Sequence, residues 1–169
     1  MDPIELTNPG EATATRPELF VLDVDGVMTT GQFLYSEHGK AYKIFGPHDS
    51  DGLKMLRDRL RVLFVTADEK GYPISEKRIV DDLGFELKLV KEEDRVGFFE
   101  RELGFEATIY MGDGYCDAVL LQRCLCGIAP SNSRPEAKAA ADYVTPSRGG
   151  EGAVLDACIY IVERYFGDE

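Results

Sequence analysis

The 169-residue chain lacks several features that would place it in common classes of protein. No apolar run approaches the roughly 20 residues that a membrane-spanning helix needs, so we expect no membrane insertion. Basic residues are scarce, because 19 lysines and arginines stand against 31 aspartates and glutamates and give a formal net charge of -12. Since nucleic acid requires a basic protein face, this balance disfavours nucleic acid as a partner.

Ligands for zinc are scarce as well. The four cysteines have no paired CxxC spacing, and only two histidines could complete a zinc site. This pattern favours reduced thiols packed inside the protein. The first 17 residues lack the basic start and the apolar core of a secretion signal, so they predict a flexible leader. We therefore expect a cytoplasmic protein with a single domain over residues 18–169.

Apolar strand-like runs alternate with helix-like segments along the chain. Residues 19–24 and 61–67 are typical of buried strands, and a segment with leucines at helical spacing lies between them. Alternation of this kind predicts an α/β fold, a three-layer, Rossmann-like, mostly parallel sheet with helices on both faces. Residues 31–45 predict a β-hairpin insertion after the first strand. Asp49 is expected to cap the helix that starts beside it.

Carboxylates and a hydroxyl follow several of the predicted strands. Asp23 and Asp25 end the first strand, Thr66 ends the second, and Asp113 and Asp117 follow the strand TIYM. Ligands bind beyond the carboxyl ends of the strands in such sheets, so these groups should share one rim. Two carboxylates about 4 Å apart repel by roughly 4 kcal/mol at an effective dielectric constant near ~20. The cluster therefore predicts a bound cation, and its hard oxygen ligands favour Mg2+.

Three of these positions can supply ligands to the metal. They are Asp23, the backbone carbonyl of Asp25, and Asp113, with Asp117 placed behind them to orient the remaining ligands. Taken alone, the two aspartates of the first strand are more typical of a turn with a helix cap. The convergence of separate strands on one rim is what favours a site.

A phosphate ester suits this rim. Thr66 can contact a phosphoryl oxygen, but one metal ion does not balance the carboxylates and a phosphate, so a further cation is needed. Arg95 and Lys91 both lie near the start of the helix after ELKLV, and either could supply that charge. Asp23 can then attack phosphorus in line, while Asp25 protonates the leaving alcohol and later deprotonates water.

Four ordered motifs carry a family resemblance. DVDGV after an apolar strand, threonine after LFV, a basic residue opening a helix, and GDGYCD after IYM resemble the haloacid dehalogenase superfamily of phosphatases. Longer stretches, including GKAYKIFGPHDSDGLKML and GGEGAVLDAC, are similar to the family of 3-deoxy-D-manno-octulosonate 8-phosphate phosphatases. The similarity runs over residues 20–166.

The resemblance implies a capless, Mg2+-dependent phosphatase that acts on a small sugar phosphate, a 3-deoxy-2-keto sugar acid phosphate, and assembles as a homotetramer. It also implies that the exposed apolar face of the hairpin pairs with other copies. The site residues that it implies are the nucleophile Asp23, the general acid and base Asp25, the phosphate contacts Thr66, Arg95, Gly149 and Gly150, and the metal ligands Asp23, Asp25 and Asp113, with Asp117 behind them.

Three positions depart from the family pattern. Where the octulosonate phosphatases place arginines near the substrate, this chain has His48, Asp68 and Glu151. None of these side chains replaces a bidentate arginine contact with a carboxylate. We therefore expect this chain to share the reaction of the octulosonate phosphatases more closely than their substrate. The alternative to the eight-carbon sugar acid is a nine-carbon one of the sialic type.

Two other functions fit part of the pattern. A non-catalytic oligomerisation or regulatory module, similar to domains fused to cytidylyltransferases, would have no reason to keep the whole acidic set. Phosphoryl transfer within a sugar phosphate fits the same motifs but usually requires a mobile cap, for which no segment is visible in the sequence.

Overall fold

The computed structural model describes residues 15–167, and its elements alternate as the sequence predicts. In chain order they are β1 (Leu19–Asp23), β2 (Thr29–Ser36), β3 (Gly39–Phe45), α1 (Asp49–Leu56), β4 (Arg61–Thr66), α2 (Tyr72–Glu76, continued as a π-helix over Lys77–Asp82), β5 (Glu86–Leu89), α3 (Arg95–Phe98, preceded by a 3-10 turn over Glu92–Asp94 and continued as a π-helix over Phe99–Leu103), β6 (Thr108–Met111), α4 (Ala118–Arg123), β7 (Cys126–Ala129), α5 (Pro135–Ala140), β8 (Tyr143–Val144) and α6 (Ala153–Tyr165).

Six of the strands form one parallel sheet in the order β5-β4-β1-β6-β7-β8. The central strand β1 pairs with β4 on one side and β6 on the other, so that Leu22 lies opposite both Phe64 and Met111. The other two strands, β2 and β3, form a separate antiparallel hairpin. The predicted α/β class and the hairpin insertion are confirmed.

The sheet separates two apolar clusters, as expected for a central parallel strand that is buried on both faces. Phe20 and Leu22 of β1 point into one cluster, with α1, α6 and the π-helical continuation of α2. Leu19 and Val21 point into the other cluster, with α3, α4 and α5. This alternation along β1 creates the three layers and fixes the direction in which the strand ends.

The structure tests part of what the sequence predicts for the leader and the cysteines. Most of the predicted leader, residues 1–14, lies outside the described residues; of the remainder, Pro17 is buried and the Arg16 guanidinium lies over the Phe166 ring. The single-domain assignment over residues 18–169 stays a prediction. All four cysteines are free thiols, as expected, but only Cys124, Cys126 and Cys158 are packed inside the protein, whereas Cys116 is exposed in the loop after β6. Between residues 15 and 167, no helix has the length and apolar character that crossing a membrane requires.

Asp49 caps a different helix from the one expected. Its side chain makes no capping bond to α1; instead Oδ1 accepts hydrogen bonds from the backbone N–H groups of Val154 (3.1 Å) and Leu155 (3.4 Å). These are free donors in the first turn of α6, so the carboxylate satisfies them and also meets the positive end of the helix dipole. The prediction was wrong because a capping partner more than 100 positions away has no local sequence signal.

We expect Asp49→Ala to lower the free energy of unfolding by about 1–2 kcal/mol, because two buried N–H groups of α6 lose their acceptor. Asp51→Ala is the matched control, because it removes an exposed acid of the same helix that forms a solvent-exposed ion pair with Lys54, and it should change stability by less than about 0.5 kcal/mol. Urea unfolding of the three proteins measures the difference. Equal stability of the two variants would contradict the capping role.

Candidate active site

The carboxyl ends of β1, β4 and β6 meet at a cavity of about 470 Å³. Parallel strands end on the same side of a sheet, and the loops after them therefore converge. The cavity collects the acidic set, the threonine and one of the two candidate cations that the sequence singles out: Asp23, Asp25, Thr66, Arg95, Asp113 and Asp117.

Arg95 lies against Asp23 in a two-point contact. Its Nη1 donates to Asp23 Oδ2 (3.1 Å) and its Nη2 to Asp23 Oδ1 (3.0 Å), which also accepts the Val24 backbone N–H (2.8 Å). The guanidinium is 5% exposed, so the pair is shielded from water. A carboxylate oxygen has two acceptor positions, and Oδ2 therefore keeps one that Arg95 does not use.

Arg95 also contacts both Asp117 and the Tyr110 hydroxyl, which accepts a hydrogen bond from Nη1 (3.1 Å). Asp117 Oδ1 accepts Arg95 Nη1 (3.0 Å) and the Tyr110 hydroxyl (2.5 Å), while Oδ2 accepts the Gly114 backbone N–H (2.8 Å). Burial, with the nearby Asp117 charge, raises the pKa of Tyr110 well above its ordinary value, so its hydroxyl keeps the proton that it donates. Tyr110 was missed from the sequence, because it sits inside an apolar strand that reads as core.

The cluster holds more negative charge than Arg95 balances. Burial and the charges of Asp23 and Asp117 raise the pKa of Asp113 to about 8. Burial also raises the pKa of Asp23 to about 6, although Arg95 acts in the opposite direction. Both carboxyls therefore resist ionisation until a further cation arrives.

The donor set suits a hard divalent cation. One carboxylate oxygen from each of Asp23, Asp113 and Asp117 lies within 4.8 Å of the other two. All three are oxygen ligands of the type that Mg2+ prefers, and the raised pKa values of Asp23 and Asp113 fit a cluster built to share a cation. The Asp25 side chain is not in this group, so the expected role of Asp25 as a ligand rests on its backbone carbonyl.

Gly26 is required for the cluster to form. Its φ of +87° belongs to the left-handed region, and a Cβ at this position would lie 2.0 Å from Asp113 Oδ2. The glycine of DVDGV therefore allows the turn after β1 to pass close to the Asp113 carboxyl, which follows β6.

A second charged group, also missed from the sequence, faces the other side of Asp25. Lys43 of β3 lies 2.9 Å from both Asp25 oxygens and 2.9 Å from Asp68, which also pairs with Lys40. Burial raises the pKa of Asp68, but the hydrogen bonds from the two lysines outweigh it, and the resulting pKa is below the ordinary value. The only sequence signal for Lys43 is its place in a hairpin strand beside apolar residues.

Lys91 and the glycine-rich turn lie away from the cavity wall. Lys91 is exposed and lines a different cleft, whereas Arg95 is in the cavity. Gly149 and Gly150 are buried against the turn after β1: the Gly149 N–H donates to Asn132 (2.6 Å) and the Gly150 N–H to the Val27 carbonyl (3.2 Å). A Cβ on Gly149 would lie 1.9 Å from the Gly26 carbonyl oxygen, so these glycines support the turn that carries the acids.

The three residues that depart from the family pattern do not all lie at the cavity. His48 and Glu151 are exposed outside the cavity wall, and the Glu151 carboxylate lies 4.0 Å from Arg148. Asp68 alone is in the cavity. Because two lysines pair with it, its carboxylate does not leave an unbalanced negative charge there.

Comparison with known proteins identifies the family. Residues 100–157 match the haloacid dehalogenase-like hydrolases. Over 149 residues the chain is 34% identical to the 3-deoxy-D-manno-octulosonate 8-phosphate phosphatase KdsC of Haemophilus influenzae, covering 85% of this chain and 81% of that protein. The chain belongs to the haloacid dehalogenase-like hydrolases. Within the family it is a phosphatase, as the motifs predict.

Solved structures of family members share the fold. A probable YrbI family phosphatase from Pseudomonas syringae has a TM-score of 0.78 and 31% identity, covering 89% of this chain and 87% of that one. The octulosonate phosphatase of Moraxella catarrhalis, solved with magnesium, phosphate and a KDO molecule, has a TM-score of 0.76 and 26% identity, covering 89% and 88%. The Rossmann-like architecture of this phosphatase is thus the family architecture.

Proposed function

We propose that this phosphatase is a Mg2+-dependent phosphomonoesterase that hydrolyses a 3-deoxy-2-keto sugar acid phosphate. The observation that carries the proposal is the convergence of Asp23, Asp113 and Asp117, the first and last of which pair with Arg95, in a cavity that also holds Thr66. The substrate named for the Haemophilus relative, and the ligands of the Moraxella structure, support the same class of ester.

Asp23, Asp113 and the Asp25 backbone carbonyl would hold the metal, with Asp117 fixed behind them by Arg95 and Tyr110. A magnesium ion there would neutralise the carboxylates and offset the charge of an incoming phosphate. This assignment fits the uncompensated negative charge of the cluster, since the pKa values of Asp23 and Asp113 are raised mainly by burial and also by neighbouring acids.

The chain's own residues then account for two chemical steps. In the first, an Asp23 oxygen attacks phosphorus, the bond from phosphorus to the ester oxygen breaks, and Asp25 gives its proton to the departing alcohol. In the second, Asp25 takes a proton from water as the water oxygen attacks the phosphoaspartyl group, which releases phosphate and restores Asp23. Thr66 is placed to bind a phosphoryl oxygen, and Arg95 supplies a charge that the phosphate and Asp23 share.

The hairpin supports assembly into a homotetramer. Five apolar or aromatic side chains on it are between 39% and 68% exposed, namely Phe33, Leu34, Tyr35, Tyr42 and Ile44. A two-stranded ribbon with such a surface is marginal by itself, so we propose that other copies of the chain cover it.

The proposed activity predicts phosphate release from sugar phosphates only when Mg2+ is present. Among esters of six- to nine-carbon sugars, we expect the 3-deoxy-2-keto acids to give the highest kcat/KM. Asp23→Asn should lower kcat at least about 10³-fold, since the nucleophile is lost. Asp58→Asn, an exposed aspartate outside the cavity, is the matched control.

The same assay separates the alternatives. No turnover of any ester with Mg2+ would favour the non-catalytic module. Conversion of one sugar phosphate into an isomer without phosphate release would favour phosphoryl transfer within the substrate.

The raised pKa values predict that magnesium affinity depends on pH. A carboxyl must lose its proton to bind metal, so at pH 7 the binding should release about one proton, mostly from Asp113, whose pKa is about 8. Affinity should rise up to about tenfold per pH unit between the values of about 6 for Asp23 and about 8 for Asp113, and level off above them. Calorimetry at several pH values, in buffers of different ionisation enthalpy, measures both quantities.

Asp113→Asn is the reference variant for that titration, because it should bind more weakly and lose most of the pH dependence. Affinity that stayed constant from pH 6 to pH 9 in the parent protein would contradict the proposed cluster.

Light scattering tests the assembly. The parent should have the mass of four chains, and Tyr42→Glu should lower that mass, because a charge on the covered face would have to lose water. Val119→Glu, at an exposed position of α4, is the control and should leave the mass unchanged. A stable parent monomer would show that the hairpin face needs no cover.

A further inference from the structure

One strand of the hairpin sends a charged side chain into the protein. In β3 the only buried residue is Lys43, and its side chain has no exposed surface. Its Nζ lies 2.9 Å from both oxygens of Asp25, 2.9 Å from Asp68 Oδ2 and 2.9 Å from the buried Ser75 hydroxyl. The ammonium donates hydrogen bonds to Asp25 Oδ2 and the Ser75 hydroxyl, and its other two contacts are ion pairs.

The surroundings of Lys43 leave it little freedom to move. A Cβ on Gly71 would lie 2.6 Å from Lys43 Cε and 2.0 Å from Asp68 Oδ2, so the loop after β4 closes tightly over both groups. Ser75 lies in the helix that follows the same loop, and its hydroxyl also contacts the Gly71 carbonyl (3.4 Å). Holding a lysine in a single rotamer costs side-chain entropy, so the contacts around Lys43 must offset that cost.

Charge explains why a lysine is tolerated at a fully buried position. A lone buried ammonium is strongly unfavourable, but here two carboxylates and a hydroxyl surround it. Lys40 supplies a second positive charge to Asp68, so Lys40, Lys43, Asp25 and Asp68 together are balanced when Asp25 is ionised, as it is once it has given its proton to the leaving group. The group thus needs no additional ion, in contrast to the acidic cluster across the cavity.

We propose that Lys43 is a positioning residue for the reaction, fixing the Asp25 carboxyl where it meets the leaving oxygen of the ester. The inference rests on the proposed function, in which Asp25 serves that oxygen. Lys43 holds both Asp25 oxygens from the side of the hairpin, so a rotation of the carboxyl away from the cavity would break two contacts.

The leaving group provides a specific readout of this role. When the bond from phosphorus to oxygen breaks, a poor leaving group needs the proton that Asp25 donates, whereas p-nitrophenolate departs readily as an anion. A residue that positions Asp25 should therefore matter more for phenyl phosphate than for p-nitrophenyl phosphate. A general loss of structure would reduce turnover of both esters alike.

The experiment compares kcat/KM for phenyl phosphate and p-nitrophenyl phosphate, with saturating Mg2+, in the full-length parent and variants. Since kcat/KM includes the step that expels the leaving group, it reports on proton donation even if a later step limits kcat. For Lys43→Met we expect a fall of about 10²-fold on phenyl phosphate and less than about fivefold on p-nitrophenyl phosphate. Asp25→Asn is the reference and should show the same or a larger imbalance.

Two further variants keep the test decisive. Ser75→Ala removes one contact of Lys43 without touching Asp25, and should shift the ratio of the two esters in the same direction by a smaller factor, about two- to fivefold. Lys54→Met carries the same substitution at an exposed lysine of α1 outside the cavity, so its ratio should match the parent.

Equal losses on both esters in Lys43→Met, with an unchanged ratio in Ser75→Ala, would overturn the positioning role. Neither ester contains a sugar, so that result would leave the proposed substrate class standing. A parent protein that hydrolysed neither ester nor any sugar phosphate would overturn both the inference and the proposed function.

Discussion

The structure depends on an incomplete balance of charge at the end of β1. Arg95 bridges Asp23 and Asp117, but one guanidinium cannot neutralise three carboxyls in a site with little water. Burial, together with the remaining charge of Asp23 and Asp117, raises the pKa of Asp113 to about 8. The fold holds the acids together because they are fixed to the ends of β1 and to the loop after β6, and because Gly26 leaves room for Asp113.

The cavity therefore has two sides with opposite electrostatic character. The side formed by the acids of β1 and β6 holds more negative charge than Arg95 balances, and it is suited to binding a cation. The side formed by the hairpin and the loop after β4 is balanced, since Lys40 and Lys43 offset Asp25 and Asp68. The acidic side can bind a further ligand. The hairpin side is already paired, so it is suited to fixing the orientation of the Asp25 carboxyl. Asp25 sits where the two sides meet.

The sequence predicts what local pattern and strand direction determine. Asp23, Thr66 and Asp113 could be found because the ends of parallel strands converge, whatever the rest of the chain does. Lys43 and Tyr110 could not, because a lysine in a hairpin reads as exposed and a tyrosine in an apolar strand reads as core. Their roles come from partners far away in sequence, and the same reason explains why Asp49 caps α6.

The alternation of side chains along β3 links the exposed apolar face of the hairpin to the position of Lys43. Successive side chains of a strand point to opposite sides, so Tyr42 and Ile44 face outward while Lys43 points inward to Asp25. A change in the register of the hairpin by one residue would expose the lysine and turn an apolar side chain toward Asp25. Whatever covers the outer face of the hairpin therefore also stabilises the register that places Lys43. The proposed assembly and the position of Asp25, the proposed general acid, therefore depend on the same strand.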